Sequence, residues 1–140
     1  MLDIKKVPPA KVAPIVRSAR MARRVLVLTF DRKTAEAAIA ADADWRISVL
    51  VKSREELRAY GDIFARRRFV AYLPTLSPAA LFAEARSAGV PTLTDAMSGG
   101  ADAPDRLAAA DVGAYRRYLA DRPADLLVTD HATRLPACAG

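Results

Sequence analysis

VLVLTFDRKTAEAAIAADADWRISVLV, from Val25 to Val51, decides the architecture. Its two ends, VLVLTF (Val25 to Phe30) and RISVLV (Arg46 to Val51), are short, β-rich and mostly apolar. Runs of this kind suit strands covered on both faces, as in parallel sheets. The segment between them rests on Ala35, Ala38 and Ile39 at helical spacing. A strand, a helix and a strand in that order form a right-handed crossover, the unit of α/β folds.

The alternation continues outward in both directions. LDIK (Leu2 to Lys5), FVAYL (Phe69 to Leu73), VPTLT (Val90 to Thr94) and DLLVT (Asp125 to Thr129) are predicted as further strands. Each gap holds one helix and two short loops. In PPAKVAPIVRSARMARR the predicted inward residues are Val12, Ile15, Val16 and Ala19. SREELRAYGDIF pairs Ser53 with Glu56 as a capping box and buries Leu57, Tyr60 and Phe64. LSPAALFAEARSAG places Ser77 at the N-cap, Pro78 at the first helical position and Gly89 past the end, with Leu81, Phe82 and Ala85 as its apolar face. In DVGAYRRYLADRP, Asp111 caps, Val112, Tyr115 and Leu119 share a face, and Pro123 ends the helix. SGGADAPD (Ser98 to Asp105) reads as one long flexible loop. Six strands and five helices fit about three quarters of a (β/α)8 barrel, or equally a small open doubly wound sheet. The expected organisation is a single α/β domain over residues 1–135 with a tail at 136–140.

Totals narrow the function. With 140 residues, 52% hydrophobic and 27% charged, the chain has the composition of a soluble globular domain. A net charge of +6 favours anionic partners. The arginines are dispersed among RSARMARR, FARRRF and YRRY without a nucleic-acid motif, so they read as solvated helix faces and no nucleic-acid partner is expected. Cys138 and His131 are each single, which excludes an intrachain disulfide, a cysteine zinc site and a two-histidine centre within this chain. No apolar run is long enough to span a bilayer and no signal peptide opens the chain, so the default location is cytoplasmic.

In either architecture function gathers at the carboxyl ends of strands. The residues there are Asp3 and Lys5, Thr29 and Asp31, Lys52, Thr94 and Asp95, then Thr129, Asp130 and His131. Asp95 and Asp130 read as loop or cap acids, and His131 as an exposed residue after the last strand. Trp45 reads as packing at a strand entrance, Tyr115 and Tyr118 as helix-on-sheet packing, and GGADAP has no phosphate-loop spacing.

The order LDIK, VLVLTFDRKT, RISVLV, SPAALFAEARSAGVPTLTD and RPADLLVTDHATRL resembles the carboxyl-terminal part of the glycerophosphodiester phosphodiesterase family, within the phospholipase-C-like phosphodiesterase barrels. That resemblance implies an incomplete TIM-type barrel of about six strands, the third to eighth of eight. Asp3 falls where the family places an acidic ligand for Mg²⁺ or Ca²⁺; Asp-x-Lys is the form found in the related spider-venom phospholipase D enzymes. Lys5 falls where the family places a lysine against the phosphodiester. A hard cation takes carboxylate oxygens, and a phosphate gaining charge in the transition state is stabilised by an ammonium. The family's His-Arg-Gly, its Glu-x-Asp pair and its downstream His-Asp are absent, and Leu93, Thr94 and Asp95 stand where an aromatic is often found. The reading is a glycerophosphodiester-phosphodiesterase-like protein acting on a small phosphodiester, truncated and with little or no activity alone. The alternative is a non-catalytic module, either homo-oligomerising through two open sheet edges, Leu2 to Ile4 and Leu126 to Val128, or binding anions.

Overall fold

The computed structural model describes residues 1–64, 69–111 and 113–134. Its elements follow the predicted alternation: β1 (Leu2–Asp3), α1 (Pro9–Ser18), β2 (Leu26–Thr29), α2 (Arg32–Ala41), β3 (Arg46–Leu50), α3 (Arg54–Phe64) and β4 (Phe69–Tyr72). Then come α4 (Ala79–Ser87), β5 (Thr92–Asp95), the short α5 (Pro104–Leu107), α6 (Gly113–Asp121) and β6 (Leu126–Val128). All six strands lie in one sheet in chain order, β1 to β6, and every neighbouring pair is parallel.

That order separates the two architectures. A doubly wound sheet reverses its strand order at a switch point and so carries helices on both faces. Here the order never reverses, and crossovers of one hand lay every helix on the same side. The other face becomes the inside of a curl. The fold is an incomplete TIM-type barrel, and the open doubly wound sheet is set aside. β1 and β6 are its two edges, as expected.

Register assigns the faces. Val27 pairs with Ile47 and Ile47 with Phe69, while Leu26 pairs with Arg46 and Leu28 with Ser48. The first set faces the helices: Val27, Ile47, Val49, Phe69 and Ala71 form one buried cluster with Ala35, Ala38, Leu57, Phe64, Phe82 and Ala85. Trp45 is buried in the same cluster, as its reading at a strand entrance implies. Burying one Phe or Leu side chain contributes about 1.5–3 kcal/mol, so this layer is the main source of stability.

Local chemistry sets the helix ends. Asp31 caps α2 by accepting from the Thr34 N–H at 2.8 Å. Ser53 accepts from the Glu56 N–H at 3.3 Å, the first half of the predicted capping box, while Glu56 reaches back one residue further, to the Lys52 N–H at 2.7 Å. The α4 expectation shifts by one residue. Pro78 is itself the N-cap, its ψ of 140° being extended, and Ser77 instead donates its N–H to the Pro74 carbonyl at 2.8 Å. Gly89 ends α4 at φ +67°, letting the Val90 N–H reach the Ala85 carbonyl at 2.9 Å. Arg20 does the same after α1 at φ +56°, a conformation that a residue with a Cβ adopts at a cost.

Three other expectations change. The face of α1 is Pro9, Ala13 and Val16 with Val12 half-buried beside them, whereas Ile15 is 68% exposed and Ala19 is exposed too; a helix starting at Pro9 turns positions 9, 13 and 16 inward together. β1 stops at Asp3, and Lys5 lies in the turn that follows. The Ser98 to Asp105 stretch is built rather than loose: Gly99 and Gly100 take positive φ, a 3-10 turn follows over Gly100–Asp102, and α5 then carries Asp105 into the interior. Val112, the FARRRF residues 65–68, and the tail with Cys138 lie outside the described residues. None of the described helices is long and apolar enough to cross a membrane.

Two substitutions test this packing by urea denaturation. Arg20→Gly relieves the left-handed residue and is expected to stabilise by roughly 0.5–1 kcal/mol. Ile15→Ala is expected to shift stability by less than about 0.5 kcal/mol, against roughly 3–5 kcal/mol lost in Phe82→Ala.

Candidate functional site

The carboxyl ends of β1, β2, β4 and β5 hold a connected row of side chains on the inner face. On β1, the Asp3 carboxylate lies 3.1 Å from the Lys5 ammonium, and Asp3 also accepts from the Lys5 backbone N–H at 3.3 Å. Asp3 and Lys5, grouped at the carboxyl end of the first predicted strand, therefore form an ion pair, closed by a turn rather than by strand alternation. Lys5 then sits 5.2 Å from the centroid of the Phe30 ring, within cation–π range. Phe30 meets Tyr72 edge-on, with centroids 6.3 Å apart and planes at 80°. Tyr72 donates its hydroxyl to Asp95 at 2.8 Å.

Asp95 anchors the far end. It is 3% exposed, and its carboxylate accepts from the Thr75 hydroxyl at 2.7 Å and the Ser98 N–H at 2.9 Å as well as from Tyr72. Burial pushes its pKa up, but the hydrogen bonds from Thr75, Ser98 and Tyr72 together outweigh burial and hold it below the ordinary carboxylate value. Burial first, and then the bond to Asp95, raise the Tyr72 phenol, so it stays protonated and donating. The reading of Asp95 as a cap acid covers its bond to Ser98 but misses its link to Tyr72.

The remaining predicted residues divide. Asp31 is occupied as a helix cap. Thr29 donates to the Ser48 carbonyl at 2.8 Å, and Thr94 to the Leu73 carbonyl at 2.7 Å, both toward the buried side. Around β6 a second buried acid, Asp105, accepts from Tyr115 at 2.8 Å, Thr129 at 2.6 Å and the Asp130 N–H at 2.9 Å. It fastens α5 to the end of β6. His131 is half-buried rather than exposed, and its backbone N–H donates to the Thr129 hydroxyl at 3.0 Å. Tyr115 and Tyr118 pack as predicted, with hydroxyls spent at the rim on Asp105 and Thr94.

Phe30, Tyr72, Thr75 and Asp105 were not singled out from sequence. Tyr72 ends an apolar run and reads as core; the signal that finds it is the period of two from Val70, which returns Tyr72 to the inner face at the mouth.

No group of three or more His, Cys, Asp or Glu side chains among the described residues could hold a metal ion. Asp3 is paired with Lys5, and Asp95 is filled by neutral donors. The residues present do not by themselves fit Mg²⁺, which needs several oxygens in octahedral array.

No protein-family model matches this sequence, and no curated protein matches it significantly. Solved structures do. A glycerophosphoryl diester phosphodiesterase from Parabacteroides distasonis ATCC 8503 superposes with a TM-score of 0.72 at 18% identity, over 97% of this chain and 51% of that one. A glycerophosphodiester phosphodiesterase from Agrobacterium tumefaciens str. C58 superposes with a TM-score of 0.63 at 16% identity, over 91% of this chain and 50% of that one. This chain thus has the fold of about half of each of these phosphodiesterases and spans about half their length.

The buried acid makes a pH prediction. A carboxylate with a depressed folded pKa adds stability that is present above the unfolded value and lost as pH falls through the folded one. Asp95→Asn is expected to cost about 1–3 kcal/mol at neutral pH. It is also expected to flatten the loss of stability between about pH 5 and about pH 2, read by urea midpoints across that range.

Proposed function

We propose that this chain supplies one side of a phosphodiester-handling centre, with Lys5 as the phosphate contact and Asp3 as one carboxylate of a cation site. The observation that carries this reading is the closed Asp3–Lys5 pair at the mouth of a half-barrel whose fold is shared with two phosphodiesterases. Its substrate class is a small phosphodiester of the glycerophosphodiester type.

The residues have distinct tasks. The Lys5 side chain is 64% exposed, so its ammonium is free to meet an incoming phosphate from the solvent side. The Asp3 carboxylate and the Phe30 face lie beside it at the mouth. As negative charge builds on the phosphoryl oxygens, an ammonium beside them stabilises it. Nothing among the described mouth residues takes the part of a paired acid and base: Asp95 is filled, Tyr72 is locked as a donor, and His131 belongs to the Asp105 corner. In this reading these residues bind a phosphodiester without turning it over.

Glycerophosphocholine titrated against the labelled chain is expected to move the amide signals of Asp3, Lys5 and Phe30. Lys5→Ala should weaken that binding roughly tenfold, the worth of one charge-assisted contact. Hydrolysis of bis(p-nitrophenyl) phosphate by the chain with Mg²⁺ or Ca²⁺ is expected to equal the protein-free rate. Unchanged binding in Lys5→Ala contradicts the assignment of Lys5, and metal-dependent turnover contradicts the half-site.

A further inference from the structure

We propose that the hollow on the inner face of the sheet binds an anionic amphiphile. A phosphate or carboxylate head sits between Arg24 and Arg46 at the amino ends of the strands, and one alkyl chain runs along the wall above. This goes beyond the phosphodiester reading, since the arginines lie at the opposite end of the strands from Asp3 and Lys5.

Two adjoining clefts define the hollow. One, of about 390 Å³, is lined by Arg23, Arg24, Leu26, Arg46, Val70 and Leu126. The other, of about 450 Å³, is lined among others by Met1, Arg24, Leu26, Leu93, Leu126 and Val128. They share Arg24, Leu26 and Leu126 and so adjoin, the first with arginines in its lining and the second mostly apolar. Each has a size in the range of small-molecule sites, roughly 300–1,000 Å³.

The register explains why the charge is out of place. Arg46 lies opposite Leu26 on β2, in the inner row that also holds Val70 and Leu126. Barrel interiors fill such rows with branched apolar side chains. Among the described residues neither Arg24 nor Arg46 makes an ion pair or a side-chain hydrogen bond. Each of the acids nearby contacts another residue. Asp44 pairs with Arg23 at 3.6 Å, and Asp125, which shares a neighbouring cleft with Arg46, accepts from the Thr92 N–H at 2.8 Å and the Thr92 hydroxyl at 3.1 Å. Two solvent-exposed guanidinium groups lining one cleft over an apolar floor favour an oxyanion, which each binds through paired N–H donors. The wall of Leu26, Leu93, Leu126 and Val128 gains by covering itself with methylenes. Neither feature alone selects the ligand; the head needs the arginines and the chain needs the wall.

Calorimetric titration of the full chain with dodecyl phosphate, below its micelle concentration, tests this. Expected is saturable one-to-one binding, weakened about tenfold or more in Arg46→Gln and in Arg24→Gln, and about a hundredfold when inorganic phosphate replaces the amphiphile. Leu126→Asp, a change at an edge position already 45% exposed, should weaken it about tenfold without unfolding the chain, as circular dichroism will report. Lys5→Ala should leave it unchanged, which separates this site from the phosphodiester mouth. Equal binding of dodecyl maltoside overturns the role of the arginines, and equal binding of inorganic phosphate overturns that of the wall. A dimer by sedimentation equilibrium that neither binds dodecyl phosphate nor dissociates in its presence gives the hollow to a second copy and overturns the proposal.

Discussion

The constraint from which the rest follows is that six parallel strands succeed one another in space as they do in the chain. With crossovers of one hand, that order sends every helix to one side of the sheet and leaves the other side to curl. The helical side becomes a close-packed layer around Ile47, Val49, Phe69 and Phe82. The inner side keeps polar residues at the carboxyl ends, arginines at the amino ends and an apolar band between them. One topological choice thus produces both the core and the surface on which ligands act.

Much of this was legible in the residues. VLVLTF, RISVLV and FVAYL announce buried parallel strands, and the capping signals of Ser53 and Gly89 operate where their chemistry places them, while the Asp31 cap emerged only from the fold. What composition and period could not decide was curl against open sheet, because both use the same βαβ unit; strand order lies in the third dimension. The order of motifs carried that choice through resemblance, and the superposed phosphodiesterases have the same fold. Small errors came from competing local forces. Pro9 set the phase of α1 against the apolar count that put Ile15 inside, and Pro78 took the cap from Ser77.

The mouth was half legible. Asp3 and Lys5 meet at the strand end where the sequence groups them, yet the residue that organises the opposite wall is Asp95, hidden because an acid at a strand end looks like any loop acid. Only the fold reveals that Tyr72 and Thr75 converge on it from β4 and the loop beyond. A fully hydrogen-bonded buried carboxylate rigidifies its surroundings while keeping its charge. Here it steadies Tyr72, against which Phe30 packs, and Phe30 in turn lies beside Lys5. The charge that faces solvent is therefore linked by contacts to a strand that never touches it. The same device recurs at Asp105, which ties α5, α6 and β6 into one corner.

Backbone nuclear Overhauser contacts between strands test the account most directly, since they report order without reference to side chains. The account requires contacts joining Leu2 to Val27, Leu26 to Arg46, Ile47 to Phe69, Ala71 to Thr92 and Leu93 to Leu126. Contacts that instead join β1 to β3, or β2 to β5, would reverse the sheet, put helices on both faces and leave Lys5, Tyr72 and Asp95 without a common mouth.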